Sequence, residues 1–136
     1  MLFVLDSNEY LFAVGFSQNL ASQKLLESLI ETYPTHRIRI PRLIVDEVRR
    51  HLSAEAFREL LVSIQLITSI DEDFVVPFEL GAKYETQGLK PADAFIAAYT
   101  EWVGADALVT ENRHFLTRHA GLPFRVITAE RCLKFL

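Results

Sequence analysis

Cysteine is nearly absent: Cys132 is the only one in 136 residues. An internal disulfide is therefore excluded, and nothing calls for an oxidising compartment. With no base motif beside it, Cys132 reads as a small buried hydrophobe. Glycine and proline number five each, which excludes collagen-like and low-complexity chains. No apolar run approaches the roughly 18 residues of a membrane span. The run Met1-Leu2-Phe3-Val4-Leu5 has no basic region before it and stops at Asp6, too short for a signal peptide. The expectation is a cytoplasmic protein with no membrane association. Basic charge is not in excess either, since the net charge is −4. That argues against a generic polyanion-binding module, but not against a nuclease, whose metal ligands are themselves acidic. The phosphate loop G-x-x-x-x-G-K-[ST], the dinucleotide fingerprint G-x-G-x-x-G and paired C-x-x-C are all missing. Gly15-Phe16-Ser17-Gln18-Asn19 lacks the second glycine of a nucleophile elbow.

What the chain does have is apolar content: half of its residues are hydrophobic. Its length predicts one domain, residues 1–136, able to bury roughly two thirds of its unfolded surface. A mean hydropathy of +0.16 suggests that some apolar surface is covered by another subunit.

Strand and helix patterns alternate along the chain. Leu2 to Leu5 is all apolar, as in a fully buried strand. A helical period runs from about Asn19 to Thr32 and breaks at Tyr33-Pro34-Thr35. Ile38 and Ile40 alternate with Arg37 and Arg39 at the strand period. Pro41 fits the first turn of a helix reaching about Leu52, and Ser53 is placed to cap the next. Leu66 to Ile70 is ambiguous between helix end and strand. Asp71 to Asp73 reads as an acidic turn, followed by a helix over Phe74 to Glu85 despite Pro77. Pro91 opens a helix to about Val103, which Gly104 ends. Ala107-Leu108-Val109 and Arg125-Val126-Ile127 are further strands, and Thr128 caps a last helix containing Cys132. Strands separated by helices of ten or more residues predict a parallel α/β sheet covered on both faces. In such sheets function collects at the carboxyl ends of the strands.

Four places carry candidate chemistry, and only the first and last of them, Asp6 and Thr110-Glu111-Asn112, are fixed by strand ends. Asp6 follows the first strand, and Asp6-Ser7-Asn8-Glu9 also has the shape of a capping box. Asp93 lies in the first turn of its helix, where a carboxylate also favours the helix dipole. Glu47 shares a helix face with Ile44 and Val48, not with Asp46, Arg49 and Arg50, although a salt bridge to Arg50 or His51 would also account for it. Thr110-Glu111-Asn112 follows the strand at Val109 and equally suits a turn that caps a helix. If the carboxylates converge, each pair about 4 Å apart repels by roughly 4 kcal/mol at an effective dielectric near 20. A cation is then required. All-oxygen ligands select Mg²⁺ or Mn²⁺, which retain waters able to attack a phosphodiester.

Leu5-Asp6-Ser7-Asn8, Glu47, Pro91-Ala92-Asp93-Ala94-Phe95-Ile96-Ala97-Ala98 and Leu108-Val109-Thr110-Glu111-Asn112-Arg113-His114-Phe115 together resemble, in order and spacing, the motifs of the PIN-domain family, including its VapC-type toxin ribonucleases. The resemblance spans the whole chain. It implies a three-layer α/β/α fold with a central parallel sheet of about four to five short strands. It further implies an endoribonuclease dependent on Mg²⁺ or Mn²⁺. Asp6, Glu47 and Asp93 match the three acidic metal-ligand positions, with Asn8 and Thr110 at supporting positions. The fourth site, Asp in many members, is Asn112 here. That departure removes a charge and weakens any second metal site, and neighbouring Glu111 should point the other way. A homodimer and an antitoxin partner that blocks the site are also implied.

For an RNA substrate, Arg113 is the best candidate contact because it adjoins Asn112. For most of the other arginines, Arg37, Arg39, Arg42, Arg49, Arg50 and Arg118, an ordinary solvated helix face is the better explanation. His114 and His119 are five apart, wrong for a helical zinc pair. Phe115 fits the core better than a base-stacking platform. An early Asp6-x-Asn8 also suggests a phosphotransferase of the haloacid dehalogenase type, but that wants a second Asp at position 8 and leaves Glu47 unexplained. The competing class is a non-catalytic PIN-like module that acts by binding protein or RNA, motivated by Asn112.

Overall fold

The computed structural model describes residues 1–15, 19–117 and 121–136. Its strands are β1 (Leu2–Leu5), β2 (Arg37–Pro41), β3 (Ile70–Asp71), β4 (Ala107–Val109) and β5 (Arg125–Ile127). They form one parallel sheet in the order β3-β2-β1-β4-β5. In register, Phe3 lies opposite Ile38 on one side and Ala107 on the other. β1 and β4 are apolar throughout because helices cover both faces; Phe3, Val4, Leu108 and Val109 are fully buried.

The helices are α1 (Ser7–Val14), α2 (Leu20–Thr32), α3 (Arg42–His51), α4 (Ala54–Gln65), α5 (Phe78–Thr86), α6 (Pro91–Trp102), α7 (Arg113–Leu116) and α8 (Ala129–Leu133). α1, α2, α3, α4 and α8 pack in one connected series, and α5 packs on α6. The result is the three-layer α/β/α arrangement expected from the sequence. Local chemistry sets many of the boundaries. The Asn19 side chain accepts from the Ala21 N–H at 2.9 Å, and Ser53 Oγ accepts from the Ala56 N–H at 3.1 Å, which satisfies otherwise orphaned first-turn donors. Gly104, at φ +69°, supplies the left-handed residue that ends α6. No helix among the described residues is long and apolar enough to cross a membrane.

Several local expectations are corrected. Pro41 closes β2 and precedes α3 instead of lying in its first turn. Asp71 belongs to β3, not to a turn. Its carboxylate accepts from Arg39 Nε and Nη2 at 2.9 and 2.8 Å and from the Tyr99 hydroxyl, tying β2, β3 and α6 together. The helix expected from Phe74 starts only at Phe78. A single 3₁₀ turn, Asp73–Val75, comes first, and Val76 and Pro77 are extended before α5 begins, as a residue preceding proline prefers. The capping box at Asp6 does not close: the Asp6 N–H joins the sheet by donating to the Val109 carbonyl at 2.9 Å, leaving Glu9 nothing to cap.

Tyr10 is 1% exposed, and its hydroxyl has no hydrogen-bond partner among the described residues. Its neighbours include Ile40, Val45, Leu60 and Ile64. A buried hydroxyl without a partner forfeits its hydration and gains nothing in return. Tyr10→Phe is therefore expected to raise unfolding free energy by about 1 kcal/mol, read as a higher urea midpoint at unchanged slope. A lower midpoint would show that the hydroxyl has a partner.

Candidate active site

In the order β3-β2-β1-β4-β5 the chain leaves β1 toward β2 on one side and returns to β4 on the other. The carboxyl ends of β1 and β4 therefore flank a topological switch point, the usual place for a site in an open parallel sheet. Asp6 and Thr110 are the first residues past those two strands. Thr110 Oγ1 donates to Asp6 Oδ2 at 2.8 Å, and the Ser7 N–H donates to Asp6 Oδ1 at 2.8 Å. Asp6 thus caps α1 and faces the switch point at once, so the two readings of this residue coexist.

Glu47 reaches the same edge because α3 starts directly from the carboxyl end of β2. Ile44 and Val48 hold its helix face inward, leaving Glu47 half-buried. Its carboxylate has no hydrogen bond or ion pair among the described residues. The salt bridge to Arg50 or His51 does not form: His51 Nδ1 instead bonds the Glu47 carbonyl at 2.8 Å. Asp46, one step round the helix, pairs with Arg49 at 3.4 Å. Asp93, in the first turn of α6, is also half-buried and free of hydrogen bonds among the described residues.

The three carboxylates feel one another. Burial holds Asp6 above the ordinary aspartate range; the Thr110 and Ser7 donors oppose this, and the charges of Glu47 and Asp93 add to it. Asp93 is also raised, chiefly by burial and further by Glu47, while His114 and Lys90 pull it down. Asp6, which is 6% exposed, has no basic side chain paired with it among the described residues. Such a set is short of positive charge, and its donors are all carboxylate oxygens, the chemistry that suits a hard divalent cation. Among the described residues no three His, Cys, Asp or Glu side chains stand close enough to form a metal cluster.

The remaining expected residues stand around this set. Asn112 Oδ1 accepts from the His114 N–H at 2.9 Å and caps α7, while its own N–H donates to Thr110 Oγ1 at 3.0 Å. Asn8 is half-buried and makes no side-chain hydrogen bond among the described residues. Arg113 is exposed, with no ion pair among the described residues. Of the arginines read as surface, Arg39, Arg42 and Arg49 are tied to Asp71, Glu72 and Asp46. Phe115 is core at 2% exposure, and Cys132 is fully buried. Arg118 and His119, like the Phe16-Ser17-Gln18 stretch, lie outside the described residues.

Sequence reasoning missed Glu9 as a buried carboxyl, and it missed that His114 and Lys90 act on Asp93. The one available signal for Glu9 was its place four residues before Ala13, on a helix face that turns out to be buried. Glu111 does point away from the carboxylates, as strand alternation requires: its Oε2 accepts from the Ala129 N–H at 3.0 Å, at the start of α8.

The chain has the PIN-like three-layer fold. Among solved structures it is similar to VapBC2 from Rickettsia felis, bound to a DNA fragment from their promoter, with a TM-score of 0.63 and 21% identity over 93% of this chain and 97% of that one. It is also similar to FitAcB from Neisseria gonorrhoeae, with a TM-score of 0.61 and 18% identity over the same shares. No known family pattern and no curated protein matches the sequence.

Proposed function

We propose that this protein is a Mg²⁺- or Mn²⁺-dependent endoribonuclease, the toxin of a toxin–antitoxin pair. The observation that supports the reading is that the charges of Glu47 and Asp93 act on buried Asp6 at the switch point, where no basic side chain among the described residues is paired with Asp6. The two structural neighbours, both toxin–antitoxin complexes, support the toxin role and an antitoxin partner. Asp6, Glu47 and Asp93 would hold the ion. When bound, it would supply charge stabilisation at the phosphate and lower the pKa of an attacking water. Thr110 and the Ser7 N–H fix the Asp6 carboxylate, so little reorientation is needed on binding. Exposed Arg113, beside Asn112, would contact RNA phosphates, giving affinity that falls with salt.

The test is cleavage of a fluorescent single-stranded RNA panel by purified, partner-free protein with Mn²⁺, Mg²⁺ or EDTA, against Asp93→Asn as the contamination control. Metal-dependent cutting that is lost in the variant is expected. Absence of cutting in a protein that also binds no Mn²⁺ would favour a non-catalytic PIN-like module. The engagement of Asn112 Oδ1 as a helix cap is the observation on that side.

The homodimer belongs to the same proposal. Phe74 and Phe78 are 85% and 82% exposed and line, with Gly81, Ala82 and Phe95, a groove of about 510 Å³. An exposed aromatic face of this kind can pack on the same face of a second copy, as a two-fold interface requires. Two such rings on each of two copies would supply several hundred Å² of the roughly 1,600 Å² that a standard interface buries. Phe74→Ser with Phe78→Ser is expected to shift the sedimenting species from dimer to monomer. An unchanged mass would remove this face from consideration.

A further inference from the structure

The sheet ends at β5, and the free edge of that strand lies in a groove of about 740 Å³. All three residues of β5 line it, together with Glu101 and Gly104 from the end of α6 and Arg131 of α8. α6 and α8 belong to different layers, so the groove follows the sheet edge between them. The direction of the backbone groups there is set by the pairing with β4. The Arg125 N–H donates to the Asp106 carbonyl at 3.1 Å, and the Ile127 carbonyl accepts from the Thr110 N–H at 2.9 Å. Both residues thus turn their polar groups toward β4. Alternation along the strand turns the N–H and C=O of Val126, between them, toward the open edge. Neither group has a hydrogen-bond partner among the described residues.

The charges beside this edge are unequally matched. Glu101 is tied to Lys83 at 3.0 Å and to the Tyr84 hydroxyl at 2.6 Å, and Asp106 Oδ2 accepts from the Leu2 N–H at 2.7 Å. Arg125 and Arg131 are exposed and have no ion pair among the described residues. Arg125 lies over the Phe135 ring at 5.4 Å, which holds the guanidinium without neutralising it. We propose that the β5 edge is a docking site for an extended, acidic segment of a partner protein, which adds a strand to the sheet. The segment exchanges backbone bonds with Val126 and sets a carboxylate against the arginines. Main-chain bonds then supply affinity, and the side chains beside them supply selection. A second copy of β5 is a poor occupant, because edge-to-edge pairing would set arginine against arginine, a device by which sheet edges avoid self-association. A nucleic acid satisfies the arginines but offers no alternating donor and acceptor to Val126. Gly104 and Asp106 precede β4, whereas Asp6 and Thr110 follow the carboxyl ends of β1 and β4. The edge is therefore separate from the carboxylates, and the proposal stands independently of the proposed reaction.

The experiment titrates isotope-labelled full-length protein with a short blocked peptide of alternating valine and glutamate. In the free protein the Val126 amide is expected to exchange with solvent faster than those of Arg125 and Ile127, and the peptide to slow it at least about tenfold. Lysine in place of glutamate, or N-methylation of alternate peptide amides, is expected to weaken binding at least about tenfold in each case. Arg125→Glu with Arg131→Glu is expected to reverse the preference, so that the lysine peptide binds better. Val126→Pro removes the outward donor and no bond to β4, and is expected to lower affinity by about tenfold. If that variant fails to fold, the N-methylated peptide puts the same question to the wild type. Asp93→Asn is expected to bind the peptide as the wild type does; a loss there would place the peptide at the carboxylates and overturn the proposal. A Val126 amide already protected in the free protein would overturn it, as would binding indifferent to N-methylation or no binding at about 1 mM peptide. Oligouridine that binds the groove while the peptide does not would assign the edge to nucleic acid instead.

Discussion

Asp6→Asn is expected to abolish Mn²⁺ binding and lower RNA cleavage by at least about 100-fold, in a protein that stays folded and is no less stable at neutral pH. The physical reason is that the charge on Asp6 is unfavourable to the isolated fold. Burial raises its pKa first of all, and Glu47 and Asp93 raise it further; the Thr110 hydroxyl and Ser7 N–H offset only part of this. Asparagine removes the charge and keeps the bonds. Its Oδ1 can accept from the Ser7 N–H, and its amide can donate to the Thr110 hydroxyl, which has acceptor capacity. Stability and binding should therefore move in opposite directions, the pattern of a residue kept for function at some cost to the fold. Isothermal titration with Mn²⁺ and urea unfolding on the same preparations test this. A variant that binds Mn²⁺ as tightly as wild type would remove Asp6 from the metal set. A variant that loses binding and several kcal/mol of stability together would make Asp6 a structural cap alone.

The second large effect is on the pH dependence of stability. Burial, and then the neighbouring Glu111 carboxyl, pushes Glu9 up to about 9, whereas an unfolded glutamate titrates near 4.3. Between those values the folded state holds a proton that the unfolded state has released. The contribution of Glu9 is thus fully present below the unfolded pKa and declines as pH rises toward the folded one. The slope is up to about 1.4 kcal/mol per pH unit, with relaxation of the folded state reducing it. Asp6 and Asp93 are raised and act in the same sense, while lowered Asp71, Glu72 and Glu101 contribute stability that is lost only in acid. Glutamine carries no proton to lose. Glu9→Gln is expected to gain on the wild type progressively from about pH 6 to about pH 9, measured as the difference in urea midpoints. A difference that stays constant across that range would mean that Glu9 is ionised in the fold throughout.

The same carboxylates show how far sequence can carry the argument. Asp6 and Thr110 could be placed from the chain alone, because each follows an apolar run too short and too uniform to be anything but a buried strand. Asp93 could be placed in a first turn because Pro91 fixes where its helix begins. Glu47 was marked as unusual by its apolar face. That Glu47 and Asp93 act on the charge of Asp6 did not follow from periodicity: nothing local says that β4 lies beside β1, or how α3 and α6 are placed against them. The ordered motifs supplied that expectation through resemblance.

Strand and helix placement was set by apolar period, proline position and side-chain caps, all of which act within a few residues. They gave the alternation of elements and with it a parallel sheet covered on both faces. Boundaries failed where a long-range bond outweighed a local preference. Asp71 joined β3, where it meets Arg39 and Tyr99; the Asp6 N–H went to Val109 across the sheet and left Glu9 uncapped. Glu9 was instead buried, accepting from Ser22 thirteen residues away. Whether a glutamate caps a helix, faces solvent or is buried holding a proton depends on which distant groups surround it. The sequence by itself determined the elements and the carboxylates at their ends. Only the tertiary structure decided which carboxylates share a face, which one is spent as a helix cap, and which lies buried behind the site, because desolvation and charge coupling depend on distance in space and not along the chain.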